Sequence, residues 1–284
     1  MSTWVWVDGN LTTPKEATVT ALDHGVTVGD GIFETAKVVD GTVFALTRHL
    51  ARLRRSAELI GLDLPWTDAT LAGICSDTIA AATDDPANAD AVVGRIRVTI
   101  TGGPGPLGSD RDDVPPTLIV AASPAGPWPT PTEVATVAWT RNERSAVAGA
   151  KTTSYAENVV ALAEAHRRGA SEAIFANTVG ALCEGTGSNV FLAVDGVLCT
   201  PTLSTGCLAG ITRELVCEVV DVVERDDLTL DHLRRADEAF LTSSTRDVQA
   251  IGRVDGQALA QAPGPLTEAA AEAFAALEAR TLDP

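Results

Sequence analysis

Residues 123–131 read SPAGPWPTP, the most proline-dense stretch of the chain. Each proline fixes φ and removes a backbone donor, so neither a helix nor a central strand runs through such a segment. The chain must therefore build on either side of it. This predicts an N-terminal domain over residues 1–122, a linker over 123–131, and a larger C-terminal domain over 132–284. With 284 residues and 45% hydrophobic content, there is apolar surface enough for two moderate cores.

Both sides mix strands and helices, which predicts an α+β plan. In the first half WVWV, TVTAL, IFETAKVV and TVFAL alternate as short strands, and Asp40-Gly41 is a hairpin signal between the last two. Thr47 is placed to cap a helix running to Ile60, with Leu50, Leu53, Ala57 and Ile60 on one face and Gly61 as the stop. A second helix over 68–82 precedes strands RIRVTIT and TLIVAA. Beyond the linker come strand VATVAW, a helix over 155–168, and strands SEAIFAN, SNVFLAV and GVLCT. A helix over 212–223, strand EAFLTS and a helix over 266–280 close the chain.

The formal net charge is −17, so no basic face is available for nucleic acid, and an anionic substrate must be captured locally by arginines. No basic n-region with an apolar stretch opens the chain, and no run approaches ~18 apolar residues. Five cysteines without a CxxC, and four scattered histidines without HExxH, predict reduced thiols in the cytoplasm and no metal site. Residues 103–108 spell GPGPLG, a literal GxGxxG. A dinucleotide loop opens a helix at its third glycine, whereas SDRDDVPP follows here, so a surface loop is expected.

Lysine is scarce: Lys15, Lys37 and Lys151 are the only three. Lys151 lies in GAKTTSYAEN, among small and hydroxylated residues. Downstream, LCEGTGSN places Glu184 in a Gly-rich turn, LAGITRE opens a helix at Gly210-Ile211-Thr212, and TSST puts hydroxyls at a strand end. Each is weak alone: a surface lysine, a turn glutamate, an ordinary helix start and a polar turn look the same. Together they supply an amine, a carboxylate and two phosphate cradles, the set that pyridoxal 5′-phosphate requires.

At these residues the sequence resembles the class IV aminotransferases, the fold-type IV pyridoxal phosphate enzymes. That group includes branched-chain aminotransferases, D-amino acid aminotransferases and aminodeoxychorismate lyases. VWVDG, DHGVTVGDGIFETAKVVDG, HLARL, KTTSYAEN, CEGTGSNVF, CLAGITRE and FLTSSTRDV carry the likeness, which spans nearly the whole chain. It implies a two-domain fold like that of D-amino acid aminotransferase, and a homodimer. It also implies that Lys151 forms the Schiff base and that Glu184 faces the ring nitrogen. Arg52 would reach the cofactor phosphate, with Gly210, Ile211, Thr212, Ser243 and Ser244. Ser188 and Asn189 would also contact the cofactor, and Tyr155 would meet its phenolic oxygen, although the family spacing there is one residue longer.

The reaction is read from the first half. Thr35 in GDGIFETA stands where lyase-like members tend to carry threonine, branched-chain enzymes glycine and D-amino acid enzymes valine. The loop GGPGPLGSDRDD lacks the arginine–x–histidine trap of the D-amino acid enzymes. Alternation in RIRVTIT puts Arg95, Arg97 and Thr99 on one face, and the resemblance implies that Arg97 and Thr35 meet the substrate. The resemblance thus favours conversion of 4-amino-4-deoxychorismate to 4-aminobenzoate and pyruvate. The alternative is an aminotransferase for branched-chain amino acids, D-amino acids or amines.

Overall fold

A computed structural model describes residues 2–284. The chain forms two compact units. Residues 1–126, 150–155 and 281–284 make the first, and residues 127–149 and 156–280 the second. The first division falls inside the proline-rich stretch. The short segment carrying Lys151 belongs to the first unit, although it lies far beyond that stretch in sequence.

The first unit contains β1 (Trp4–Val7), β2 (Asn10–Thr12), α1 (His24–Thr27), β3 (Gly31–Val39), β4 (Thr42–Val43), α2 (Leu46–Ile60), α3 (Asp68–Asp84), β5 (Val93–Thr101) and β6 (Thr117–Pro124). Its six strands form one antiparallel sheet in the order β2-β1-β6-β5-β3-β4. Alternation assigns the faces. Ile32, Ala36 and Val38 of β3 join Ile96, Val98 and Ile100 of β5 against Leu50 and Leu53 of α2 and Leu71 and Ile79 of α3. The β3–β4 hairpin turns at Asp40-Gly41, both in the left-handed region.

Two expectations for this unit change. Residues 18–22 form no strand: Val19 and Leu22 are exposed, and β2 already pairs with the outer edge of β1. Thr47 does not cap α2. The helix starts two residues earlier, at Leu46, after Ala45 in a left-handed conformation with no side-chain cap of its own.

The second unit contains β7 (Thr132–Arg141), α4 (Ala156–Arg167), β8 (Glu172–Asn177), β9 (Leu182–Gly185), β10 (Asn189–Val194), β11 (Val197–Pro201), α5 (Ile211–Val219), β12 (Val223–Arg225), α6 (Leu230–Arg235), β13 (Ala239–Ser243), β14 (Asp247–Val254), β15 (Gln257–Ala258) and α7 (Pro265–Arg280). Its sheet runs β12-β11-β10-β13-β14-β7-β8-β9, with β15 attached to β14. Val190, Leu192, Leu241 and Ile251 lie in its main core, and Ala161 and Ala165 of α4 pack on Phe175. Helix α5 stops at Val219, short of the expected 223, because β12 takes over and pairs with β11.

Candidate active site

In the first unit, Lys151 is placed by main-chain bonds. Only Val38 and Val39 of β3 pair with β4, which leaves the edge at residues 31–33 open. Residues 151–153 fill it. Phe33 donates its N–H to the Lys151 carbonyl at 2.9 Å, Thr153 donates to the Gly31 carbonyl at 2.8 Å, and Ile32 bridges Thr152. The Thr153 and Ser154 hydroxyls both donate to the Gly29 carbonyl, each at 2.9 Å. From the helix side, Ser56 of α2 accepts the Lys151 N–H at 3.0 Å.

Pairing opposite Phe33 sends the Lys151 side chain to the sheet face that the core does not use. Its Nζ lies 4.4 Å from the Phe33 ring centroid and 5.9 Å from that of Tyr155, and the two rings meet edge to face at 5.1 Å. Thr35, half-buried, is opposite Arg97 in the β3–β5 register, so both share this face. The Arg97 guanidinium lies 3.6 Å from the Phe33 ring and donates to the Thr99 hydroxyl. Arg95 reaches only the Ser123 hydroxyl, at 3.3 Å. Among the described residues, no carboxylate pairs with Arg95 or Arg97. In a chain of net charge −17, that leaves a locally cationic face.

The opposite face of β3 holds a buried charge cluster that sequence reasoning missed. Glu34 takes Nε and Nη2 of Arg52 at 2.8 and 2.7 Å and Nδ1 of His49 at 2.7 Å. Burial alone would raise the Glu34 carboxyl. The Arg52 guanidinium and the bonds from Arg52 and His49 override it and hold the group far below the usual carboxylate range. His49 is pushed down, chiefly by burial, with Arg52 and Lys151 adding repulsion against the pull of Glu34. The fork of Arg52 that sequence reasoning aims at a phosphate is thus braced by Glu34. The only signal was a glutamate and two basic residues on adjacent elements. Arg54, on the same helix, makes an exposed ion pair with Asp68.

In the second unit, Glu184 sits on β9, the edge strand. Its Oε1 lies 3.0 Å from Nε of Arg141, and Oε2 accepts the Leu208 N–H at 2.8 Å. Arg141 is itself fixed by Glu157 and Asn158 at 2.9 and 2.8 Å, and lies 4.3 Å from the Phe175 ring. The following turn is held from beneath. The buried Glu172 carboxylate accepts the Thr186 N–H at 3.0 Å, the Thr186 hydroxyl and the Ser188 hydroxyl at 3.0 Å. Ser188 is therefore engaged inside the protein. So is Asn189, which donates to the Leu208 carbonyl at 2.9 Å.

Gly210 begins α5, and no side chain caps that helix. A Cβ at Gly210 would stand 1.9 Å from Oδ1 of Asn189, so only glycine fits. Ile211 and Thr212 follow in buried positions. Thr242, opposite Asn189 in the β10–β13 register, keeps a buried hydroxyl with no hydrogen-bond partner. Ser243 accepts the Arg246 N–H at 3.2 Å, and Ser244 is half-buried beside it.

The GPGPLG loop carries no helix. Two of its glycines serve close packing: a Cβ at Gly103 would meet the Pro115 carbonyl oxygen at 2.4 Å, and one at Gly105 would meet Nε2 of His24 at 2.5 Å. Arg111 closes the loop by gripping Asp30 at 2.7 and 2.6 Å. No described helix is long and apolar enough to cross a membrane, and among the described residues no cluster of His, Cys, Asp and Glu is arranged to hold a metal ion.

Comparison with known proteins follows the same lines. The family model for amino-transferase class IV matches residues 31–254. A branched-chain-amino-acid aminotransferase of Pseudomonas aeruginosa is 30% identical over 95% of this chain and 91% of its own. A D-alanine aminotransferase of Bacillus licheniformis is 31% identical over 93% of each. Among solved structures, the branched-chain aminotransferase of Thermoproteus uzoniensis with norvaline superposes with a TM-score of 0.86, at 32% identity, covering 97% of this chain and 94% of that one. The chain belongs to the class IV aminotransferases.

Proposed function

We propose that the protein is a pyridoxal phosphate-dependent aminotransferase that moves an amino group between an amino acid and a 2-oxo acid. The observation that carries this reading is the arrangement around Phe33. One ring has the Lys151 amine at 4.4 Å and, at 3.6 Å, the Arg97 guanidinium, which meets no carboxylate among the described residues. An amine-handling group and a carboxylate-recognising cation thus share one sheet face, as amino-acid chemistry requires. The relatives above carry aminotransferase names, so this reading takes the place of the lyase reading drawn from Thr35. Branched-chain amino acids are the first substrates to test, because the 102–113 loop holds no histidine for a D-amino acid trap.

The residues fit the cofactor. The first unit offers an amine on an open face. The second offers a carboxylate, an uncapped helix start and the buried, orphaned hydroxyl of Thr242. When bound, the cofactor supplies an aldehyde carbon that takes up an amine and a ring that draws charge from the carbon bearing that amine. Lys151 Nζ makes the covalent attachment and moves the proton at the substrate α-carbon. Glu184, oriented by Arg141 and the Leu208 N–H, would hold a proton at the ring nitrogen. The amides of Ile211 and Thr212, with Ser243, Ser244 and Arg52, bind the phosphate. Tyr155 donates to the phenolic oxygen. Arg97 and Thr35 hold the substrate carboxylate.

The test is direct. Leucine with 2-oxoglutarate should yield glutamate, and leucine alone should bleach the visible band until 2-oxoglutarate restores it. Many equivalents of pyruvate from aminodeoxychorismate, with no 2-oxo acid added and no glutamate from leucine, would return the assignment to the lyase. Borohydride reduction and peptide mapping should mark Lys151, and label on Lys15 or Lys37 would refute its role.

We also infer a homodimer. Leu22, Val26 and Leu107 are 50%, 65% and 78% exposed. The Gly105 N–H bonded to the Leu22 carbonyl, and His24 bonded to the Pro106 carbonyl, bring together the two segments that carry them, and exposed apolar side chains so placed suit an interface between copies. A fully active monomer at micromolar concentration, seen by light scattering, would rule this out.

A further inference from the structure

Helix α2 carries His49, Arg52 and Ser56, yet it begins without the usual device. Its N-cap, Ala45, has φ 54° and no side chain able to accept a helix N–H. The cap comes from 236 residues away. Asp283 Oδ1 accepts the Thr47 N–H at 3.0 Å, and Oδ2 accepts the Thr47 hydroxyl at 2.5 Å. Ala45 donates its N–H to the Leu282 carbonyl at 2.7 Å, and Arg48 Nε donates to the Pro284 carbonyl at 2.9 Å. Residues 281–284 therefore fasten the start of α2: the Asp283 carboxylate accepts one of its open N–H groups, and main-chain oxygens of Leu282 and Pro284 accept the Ala45 N–H and the Arg48 side chain. The carboxylate also stands at the end of the helix dipole where negative charge is favoured.

This cap has a line of consequence inside the same unit. Two residues beyond Thr47, His49 meets Glu34. Arg52, one turn further, meets the same carboxylate, and Ser56 holds the Lys151 N–H. We propose that Asp283 is a positioning residue: it caps α2 from outside the helix and so fixes the side chains that brace Arg52 and the backbone of Lys151. The proposal rests on the reading of Lys151 as the cofactor lysine, and no catalytic contact is assigned to Asp283 itself.

The experiment compares Asp283→Ala and Asp283→Asn in the full chain. Asparagine caps as well as aspartate, and alanine does not. Asp283→Ala should raise the dissociation constant for pyridoxal phosphate about fivefold, the factor that loss of one cap represents. It should also shift the pH midpoint of the bound cofactor's absorbance. In the cofactor-free protein, hydrogen exchange should quicken at residues 46–53 and again at 150–153, with little change in the second unit. Asp283→Asn should restore all three readouts.

Faster exchange confined to residues 46–48, with affinity and pH midpoint unchanged, would reduce the cap to a local fastening and overturn the proposal. An asparagine variant as impaired as the alanine variant would also overturn it, since capping would then not be the cause. If Asp283→Ala does not fold, Thr47→Val, which removes one of the two bonds, should show the same pattern at smaller amplitude. Wild-type protein that takes no borohydride label at Lys151 would sink the cofactor reading while leaving the exchange result to judge the cap.

Discussion

Lys151 and Glu184 both lie at the margin of a sheet, but they are fastened by different forces. Lys151 lies on a short segment added to the open edge of β3, and its position depends on main-chain hydrogen bonds and one hydroxyl, Ser56. Glu184 lies on an edge strand, and its carboxylate is oriented by an arginine and one backbone N–H, above a turn held by a second buried carboxylate, Glu172. A lysine side chain can be removed without loss of the bonds that place its backbone. A carboxylate fixed by charge cannot be altered without disturbing what it balances. The seat of the lysine thus does not depend on its side chain, whereas the glutamate and its seat are one electrostatic unit.

The most drastic test of this contrast is Lys151→Ala. It should abolish turnover by about 10³-fold or more, because the attacking amine is gone. The thermal melt of the cofactor-free protein should stay within a degree or two of wild type, since the backbone bonds to Phe33, Gly31 and Ser56 remain. A large stability loss would show that the side chain, not the main chain, holds the segment.

Next comes Glu34→Gln, which attacks a place where the first unit does rely on buried charge. Arg52 would be left buried without a counter-charge, at a cost of about 3–5 kcal/mol in chemical denaturation. The pH dependence has a definite sign. Glu34 is depressed below its ordinary 4.5, and His49 below its ordinary 6.5. In each case the unfolded chain takes up a proton before the folded one, so stability is lost on acidification, from about pH 6.5 for His49 and from about pH 4.5 for Glu34. In Glu34→Gln the second, more acidic part of that loss should disappear. An unchanged acid profile would contradict the assignment of the cluster.

A milder effect is expected from Glu184→Gln, which keeps the shape and removes the charge. Turnover should fall by ~10²-fold, comparable to loss of a major electrostatic contribution, with cofactor still bound. Near-normal turnover would mean that another residue meets the ring nitrogen. Smallest of all is Ser56→Ala, which deletes the hydroxyl that accepts the Lys151 N–H. About 1 kcal/mol of stability should be lost, with faster hydrogen exchange at Lys151 and a turnover change of less than tenfold. If Ser56→Ala proved as damaging as Glu184→Gln, the robust seat of the lysine would be a misreading.

Much of this was legible in the sequence because it is carried by neighbours. The β3–β4 hairpin follows from Asp40-Gly41 between alternating residues. The shared face of Arg95, Arg97 and Thr99 follows from the two-residue period of a strand. Helix α2 shows its buried face and its Gly61 stop, and the blocks around Lys151, Glu184 and Gly210 identify the family. The linear sequence misled where a local pattern found no partner. Residues 18–22 alternate like a strand, but they join no strand ladder and leave Val19 and Leu22 exposed. Thr47 looks like a cap and is instead capped.

What only the tertiary structure decided is which distant residues complete one another. Ser56 and Lys151 are 95 positions apart, and Thr47 and Asp283 are 236 apart. The sequence placed Glu34, His49 and Arg52 near one another but could not say that one carboxylate would bind both cations on the buried side of β3. It marked Glu184 but not Arg141, 43 residues earlier, whose guanidinium orients the carboxylate at 3.0 Å. A period or a turn signal is written by residues whose backbones are already linked, so it survives in the linear string. A hydrogen bond across the fold leaves no such trace, because the two partners need only the right chemistry and the packing of everything between them supplies the distance.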